Sequence, residues 1–204
     1  MTADVQIILL AAGRSSRMEG RDKTLEKIAG APLLRHLALE CLASGATQTH
    51  VVLPPDRPER ADAVRDLDLN SVVARDAHLG MSASLKAGVA AAKTSDAVLI
   101  MLADMPEITR DHIDVLIAAF DPEGRESIVR AASADGKPGH PVLLAQKHFD
   151  ELEALTGDQG ARVILERHKS QMRLVALNGK AATTDLDTPQ AWAKWRALQQ
   201  QNSG

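Results

Sequence analysis

The feature that most constrains the fold is an alternation of short apolar runs with longer helical patterns. Residues 5–10 and 96–102 are each almost continuously apolar over the length of one β-strand. Strands of that composition are typical of parallel sheets that helices cover on both faces. Weaker strand patterns at 49–53 and 71–74 are separated by helical patterns in the same way. The repetition predicts an α/β fold, a Rossmann-like, doubly wound and mostly parallel sheet with helices on both faces.

The second half of the chain has a looser pattern, without a linker or an internal repeat. Strands are predicted at 127–130, 141–144 and 172–177, and helices at 33–42, 58–67, 82–93, 158–168 and from Thr109 and Thr188 onward. We therefore predict one domain over residues 1–198. Residues 199–204 are polar and predict a disordered tail.

Composition limits the classes of function. The 204 residues carry a net charge of −3 and only 2% aromatic side chains, whereas nucleic-acid binders usually have a basic excess or stacking aromatics. We expect neither a nucleic-acid partner nor a membrane partner, because no apolar run approaches the ~20 residues that span a bilayer. The N-terminus shows no secretory signal, and the single cysteine, Cys41, lies in an apolar helical pattern. These features predict a cytoplasmic protein with a buried thiol.

The loop after the first strand concentrates positive charge. Residues 9–23 read LLAAGRSSRMEGRDK, in which the apolar run stops at Gly13 and is followed by Arg14, Arg17, Arg21 and Lys23. In open α/β sheets ligands bind beyond the carboxyl ends of the strands, where small residues and cations suit phosphates. A solvated surface loop is the alternative. Both Gly-x-Gly-x-x-Gly and Gly-x-x-x-x-Gly-Lys are missing, which disfavours a dehydrogenase.

This loop resembles the signature loop of the nucleotidyltransferases that activate sugars and cofactors. The matching positions are residues 10–13, 16–18, 20 and 23. Further blocks resemble the branch that contains molybdenum cofactor cytidylyltransferase and molybdenum cofactor guanylyltransferase, at 80–85, 102–106, 138–141, 157–162 and 185–189. The resemblance covers at least residues 5–193 and implies the fold of the nucleotide-diphospho-sugar transferases.

The resemblance also implies site residues. Arg17 would contact the triphosphate, Lys23 would neutralise the phosphates, and Asp104 would complete the catalytic set. The implied nucleotide site contains Leu10, Ala11, Ala12, Gly13, Arg17, Lys23, Asp76, Gly80, Ser82 and Ser84. His140 and Arg162 would bind the acceptor. The alternative for His140, nearly as well supported, is an ordinary residue of a turn without a role in binding. Arg14 and Arg21 are interpreted as surface charges.

Carboxylates at the same edge of the sheet predict a metal site. Asp104 directly follows the strongest strand, and alternation places Asp185 and Asp187 on one side of an extended segment. The family resemblance implies that Asp185 is the second metal ligand, and we expect Mg²⁺ held by Asp104 and Asp185, because that ion prefers oxygen ligands. Two alternatives stay open: Asp104 as a turn residue, and Asp187 as the second ligand or as a helix cap. The seven histidines show no His-x-x-x-His spacing, so no zinc site is predicted.

Ala12 bears on the choice of nucleotide. Relatives that use CTP tend to have Leu-Ala-Ala-Gly here, and those that use GTP tend to have Leu-Ala-Gly-Gly. The resemblance thus implies transfer of CMP from CTP to a phosphorylated acceptor, foremost molybdopterin, by a monomer or dimer that transiently contacts a molybdoenzyme or its chaperone. The alternatives are a guanylyltransferase, a transferase acting on a phosphosugar or phospholactate, and a non-catalytic nucleotide- or cofactor-binding protein.

Overall fold

The computed structural model describes residues 3–202. Its strands are β1 (Val5–Leu10), β2 (Lys27–Ile28), β3 (Ala31–Pro32), β4 (Gln48–Leu53), β5 (Asn70–Val73), β6 (Ala97–Leu102), β7 (Ile128–Ala132), β8 (Pro138–Ala145) and β9 (Met172–Ala176). Its α-helices are α1 (Leu33–Ala43), α2 (Pro58–Asp62), α3 (Met81–Ala91), α4 (Arg110–Ala118), α5 (Phe149–Glu153), α6 (Arg162–Arg167) and α7 (Pro189–Asn202). Short 3₁₀ turns lie at Ala77–Leu79, Gln146–His148, Lys169–Gln171 and Ala181–Thr183.

Seven strands form one sheet in the order β5-β4-β1-β6-β8-β7-β9. Strand β8 runs antiparallel to both of its neighbours, β6 and β7, and a short turn joins it directly to β7. The other neighbouring strands pair in parallel. Strands β2 and β3 form a separate two-stranded ribbon. The predicted doubly wound, mostly parallel sheet is confirmed.

Apolar side chains cover both faces of the sheet. Ile7 and Leu9 of β1 pack into one core with residues of α1, α4 and α7, and Ile8 packs into a second core with residues of α3, α5 and α6. This two-sided burial explains why β1 reads as a continuous apolar run rather than an alternating one. Gly88 brings α3 close to the sheet, since a Cβ at that position would lie 2.4 Å from Cγ2 of Ile8. Cys41 is buried as predicted.

Three predicted elements differ from the structure. The segment 58–67 is helical only over α2, and the segment 158–168 only over α6, with a glycine-containing loop before it. The predicted disordered tail is wrong for residues 199–202, because α7 continues through them to Asn202. Glutamine has a good helix propensity, so these residues extend the helix once it has begun. Residues 203 and 204 lie outside the described part of the chain.

The carboxyl ends of β1 and β6 lie side by side and carry the candidate site. Leu10 and Leu102 are partners in the register of these strands, and the amide of Ala103 donates to the Leu10 carbonyl at 3.1 Å. The loop after β1 and the residues after β6 therefore leave the sheet at one edge. Within residues 3–202, no helix combines the length and apolar character that crossing a lipid bilayer requires.

Candidate active site

A buried ion pair holds the loop after β1. The Arg60 side chain of α2 is 0% exposed, and its Nε donates to Oδ2 of Asp22 at 2.7 Å. The same guanidinium donates to the Ala11 carbonyl at 2.5 Å and to Oγ of Ser15 at 3.3 Å. Oδ1 of Asp22 accepts from the amide of Thr24 at 3.0 Å. One arginine thus connects the start, middle and end of the loop.

The electrostatics of this pair keep the Asp22 carboxylate ionised. Burial raises the pKa of Asp22, but the hydrogen bond and charge of Arg60 and the hydrogen bonds of Thr24 outweigh it, so the net shift is downward. Inside the loop the backbone adopts positive φ at Ser15 (54°), Glu19 (53°) and Gly20 (85°). The first two are costly for non-glycine residues, so surrounding contacts must maintain the loop conformation.

A cluster of cations and carboxylates lies beside the loop. Nζ of Lys23 donates to Oδ2 of Asp104 at 2.5 Å and to Oδ1 of Asp187 at 2.6 Å, and Nη2 of Arg17 donates to Oδ2 of Asp187 at 2.5 Å. The amide of Leu186 donates to the Asp104 carbonyl at 3.0 Å, which joins the segment 185–187 to the end of β6. The Lys23 side chain is 16% exposed and that of Arg17 is 68% exposed.

The pKa shifts follow from these contacts. Burial lowers the pKa of Lys23, but Asp104 and Asp187 outweigh it and raise the pKa, so the ammonium remains charged. Burial raises the pKa of Asp187, and Lys23 and Arg17 reverse that effect to give a lowered value. Asp185 has a raised pKa, caused by burial and by the charges of Asp187 and Asp104. Asp185 has no cationic partner among residues 3–202.

The carboxylate arrangement fits a divalent cation. Oδ1 of Asp104 is buried and has no hydrogen-bond partner within the described chain, which is a costly state for a charged group. Asp185 adds a second carboxylate without a cation, whereas Asp187 is already bound to Lys23 and Arg17. The three carboxylates outnumber the two cations, so a positive ion at Asp104 and Asp185 would offset the excess negative charge. Oxygen ligands suit Mg²⁺.

A cavity of about 430 Å³ opens beside this cluster, a volume suited to a small-molecule ligand. Of the residues proposed to bind the nucleotide, it is lined by Leu10, Ala11, Ala12, Gly13, Lys23, Gly80 and Ser84, together with Asp104. Asp76 and Ser82 line a neighbouring groove instead. Arg14, interpreted above as a surface charge, lines the cavity and donates to the His78 carbonyl at 2.9 Å.

Ser82 has a structural contact of its own. Its Oγ and its amide both donate to the Gly157 carbonyl, at 2.7 and 3.1 Å. Gly80 has φ of 120°, and a Cβ there would lie 2.4 Å from the same carbonyl oxygen. The two loops therefore pack backbone to backbone, and Asp158 of the second loop lines the cavity.

The two residues assigned to the acceptor differ in burial and in contacts. Nδ1 of His140 is buried without a partner in the described chain. Burial and the charge of Arg130 lower the pKa of His140 to about 4 against the opposing charge of Asp104, so the ring is neutral near pH 7. Arg162 is on the exposed face of α6, where its Nε donates to Oε1 of Glu166 at 2.7 Å.

Arg130 was not among the residues predicted from the sequence. Its Nε donates to the Gly139 carbonyl at 3.0 Å, and within residues 3–202 it makes no ion pair. Burial and the charge of Arg162 lower its pKa, which marks a cation without a counter-charge. Asp22 and Arg60 were missed as well, since the sequence does not show that residue 60 reaches the loop.

Comparisons with known proteins support the fold, and the matching family model includes the loop after β1. A family model for the MobA-like NTP transferase domain matches residues 7–172. Nicotine blue oxidoreductase of Paenarthrobacter nicotinovorans is 28% identical over 186 residues, which is 89% of this chain and 91% of that protein. Molybdenum cofactor guanylyltransferase of Burkholderia vietnamiensis is 29% identical over 179 residues, or 83% and 85%.

A solved structure is similar over almost the full length. It is the homologue, from Mycobacterium sp. strain JC1, of Mycobacterium tuberculosis Rv0371c. The two chains superpose with a TM-score of 0.84 at 28% identity, covering 97% of this chain and 98% of that one.

The buried position of Arg60 leads to a first prediction. We expect Arg60→Ala to lower the free energy of unfolding by about 3–5 kcal/mol, because it leaves the Asp22 carboxylate buried without its partner. The matched control is Arg57→Ala, whose guanidinium lies 3.8 Å from Asp22 on a half-exposed side chain; it should cost less than about 1 kcal/mol. Urea unfolding of both variants measures the difference, and equal losses would contradict this role for Arg60.

Proposed function

The chain belongs to the family of MobA-like NTP transferase domains, a nucleotidyltransferase family, and we propose that it transfers CMP from CTP to the phosphate of molybdopterin and releases pyrophosphate. The observation that carries the proposal is the cavity at the end of β1, which is lined by Lys23 and Asp104. One carboxylate oxygen of Asp104, Oδ1, is buried there without a hydrogen-bond partner within residues 3–202. A site of this kind offers a cation for phosphates and ligands for a metal next to one another.

The reaction is a displacement at phosphorus. An oxygen of the acceptor phosphate attacks the α-phosphorus of CTP, a new phosphorus–oxygen bond forms, and the bond to pyrophosphate breaks. Both reactants are anions, so charge neutralisation and alignment provide most of the acceleration. A phosphate monoester is largely ionised near pH 7, so the attacking oxygen needs no general base.

Lys23 would act as a permanent cation. Two carboxylates raise its pKa, so it carries its proton throughout and stabilises negative charge on the phosphates. Arg17 would join it, because an exposed ion pair such as that of Arg17 and Asp187 is weak and can be exchanged for phosphate contacts. Asp187 would then be a positioning residue that orients both cations.

A divalent cation would be held by Asp104 and Asp185. When bound, Mg²⁺ neutralises phosphate charge and favours displacement at phosphorus. Oδ1 of Asp104 would gain the partner that it lacks in the protein alone. The raised pKa of Asp185 would fall on binding, because the ion offsets the repulsion from Asp104 and Asp187.

The choice of CTP rests on Ala12. This residue is 6% exposed, packs into the core shared with α3, and lines the cavity. Its methyl group occupies space that a glycine would leave to a larger base. A purine nucleotide in this position would have to displace a side chain that the core holds in place.

An oxidoreductase is the second candidate, since nicotine blue oxidoreductase is similar across 89% of this chain. Hydride transfer gives no reason for the unpartnered carboxylate oxygen of Asp104, nor for Asp185 beside it. A transferase that uses GTP or another phosphorylated acceptor would use the same cluster. Reaction products separate these candidates.

The principal experiment incubates the protein with Mg²⁺, molybdopterin and each NTP in turn. We expect pyrophosphate and a cytidine dinucleotide of the pterin from CTP. Asp104→Asn should lower kcat at least 100-fold, because it removes a metal ligand and a partner of Lys23. The control is Asp111→Asn, an exposed aspartate that contacts Arg110. Oxidation of a reduced nicotinamide cofactor without pyrophosphate formation from any NTP would support the oxidoreductase instead.

Ala12→Gly tests the choice of base. We expect the ratio of kcat/KM for GTP to that for CTP to rise about tenfold, the usual effect of one methyl group in a binding pocket. The ratio is internally controlled, since a general loss of stability reduces both values equally. A ratio that stays at the wild-type value would remove Ala12 from base selection.

Arg130→Ala tests the acceptor side. We propose that the uncompensated guanidinium of Arg130, beside His140, binds the acceptor phosphate. Its loss should raise the KM for the acceptor about tenfold and leave the KM for the nucleotide unchanged. Arg173→Ala is the control, because that exposed guanidinium donates to the Ala119 carbonyl. Arg162 is the acceptor-binding arginine that the family resemblance implies, and we expect Arg162→Ala to raise the KM for the acceptor less than Arg130→Ala does. A larger increase for Arg162→Ala would identify Arg162 as the acceptor residue instead.

A further inference from the structure

Two histidines and a glutamate meet at the end of the sheet opposite the cavity. His148 lies in the 3₁₀ turn after β8, Glu151 lies in α5, and His168 follows α6. Nδ1 of His148 is 3.3 Å from Oε1 of Glu151, and Nε2 of His168 is 2.6 Å from the same oxygen. One ligand atom from each residue lies within 4.8 Å of the others.

The outer nitrogens of both rings have polar partners. Nε2 of His148 is 2.8 Å from Oγ of Ser127, and Nδ1 of His168 is 3.5 Å from Nε2 of Gln171. Ser127 and Gln171 are themselves linked at 3.0 Å. The five side chains therefore form a closed ring with five polar contacts, which we call the histidine ring.

The histidine ring has fewer hydrogens than contacts. Each neutral imidazole supplies one hydrogen and the hydroxyl supplies one. The Gln171 amide supplies one hydrogen to the ring, because its nitrogen contacts His168 and its oxygen contacts Ser127. The ionised glutamate supplies none. Four hydrogens serve five contacts, and exchanging the amide oxygen and nitrogen leaves the sum unchanged. One of the five contacts is therefore left without a hydrogen, and two lone pairs face each other there unless a positive ion lies between them.

We propose that the histidine ring is a binding site for one divalent cation of the zinc class, coordinated by Nδ1 of His148, Oε1 of Glu151 and Nε2 of His168. Two imidazoles and one carboxylate are typical zinc ligands and poor magnesium ligands. The Glu151 and His168 side chains are 26% and 20% exposed, so water can complete the coordination.

The surrounding contacts support this donor set. With their inner nitrogens on the metal, His148 donates to Oγ of Ser127. His168 donates to the amide oxygen of Gln171 once the amide is turned over, so that its nitrogen donates to Ser127 in place of the present contacts. This is the outer-shell support that metal-bound histidines usually have. Arg167 pairs with the other carboxylate oxygen, Oε2 of Glu151, which leaves Oε1 for the metal. A proton on His148 is the less favourable alternative, since its side chain is only 3% exposed and burial opposes a charged imidazolium. A proton on His168, whose side chain is 20% exposed, is the competing outcome that the metal titration distinguishes.

Two of the three ligand spacings are close to those around a tetrahedral ion, and the third, between the two histidine nitrogens, is within 4.8 Å. Zinc ligands at about 2.0–2.2 Å from the metal lie roughly 3.3–3.5 Å from each other. The distance of 3.3 Å between His148 and Glu151 already fits, and the 2.6 Å contact to His168 would open by less than about 1 Å. The ligands come from two segments, 148–151 and the end of α6 at His168, so a search for His-x-x-x-His spacing could not reveal them.

The proposal is tested by titrating the full-length protein with Co²⁺, a spectroscopic substitute for zinc. An Asp104→Asn, Asp185→Asn background removes binding at the candidate active site. We expect one Co²⁺ per chain with visible absorption bands of a tetrahedral ion, displaced by one equivalent of Zn²⁺. His168→Ala should weaken Zn²⁺ binding at least 100-fold, and Gln171→Ala about tenfold through the outer shell.

His36→Ala is the control, since that histidine lies on α1, outside the histidine ring. Equal Zn²⁺ affinity in the background protein with and without His168→Ala would show an ion bound elsewhere and overturn the proposal. Absence of binding in the background protein would overturn it too, and would indicate a shared proton. His168 and Gln171 are at the partly exposed side of the ring, so their variants should fold, which circular dichroism verifies.

Discussion

The buried guanidinium of Arg60 is the contact on which the candidate site depends. It satisfies the Ala11 carbonyl, where the chain leaves β1, and the Asp22 carboxylate, which directly precedes Lys23. A loop with three residues at positive φ would otherwise be free to relax. Because both ends of the loop are attached to one rigid side chain of α2, Lys23 is presented to Asp104 from a fixed backbone. Stability and site geometry therefore come from the same ion pair.

The cluster next to the loop is arranged for exchange of partners. In the protein alone, Lys23 neutralises Asp104 and Asp187, and Arg17 neutralises Asp187. A metal ion and a triphosphate would bring one positive and one negative group into the same space. The carboxylates could then pass to the metal and the cations to the phosphates without leaving a buried charge uncompensated. The ion pairs thus keep the site ordered in the absence of substrate.

The fold was predictable because its signals are local. Continuous apolar strands, helical periodicity and the family resemblance each depend on neighbouring residues, and the parallel sheet follows from their repetition. The placement of Lys23 and Asp104 at one edge followed from the same rule. Contacts between distant segments were not predictable. Arg60 reaches back to Asp22, and Arg130 is an unremarkable residue within a strand pattern until the fold places it beside His140.

Strand β8 connects the two ends of the sheet that carry functional groups. It is antiparallel to both neighbours, so it begins at the edge that holds Asp104 and ends near the opposite edge. His140 lies near its start, and His148 follows its end. The donor sets at the two edges differ in kind: carboxylate oxygens with ammonium and guanidinium neighbours at one edge, imidazole nitrogens with one carboxylate at the other. Hard cations and phosphates suit the first edge, and a borderline cation suits the second. The separation would let the proposed magnesium-dependent reaction and the proposed zinc-class ion coexist in one chain, because imidazole nitrogens are poor ligands for Mg²⁺ and the two sites do not share a donor.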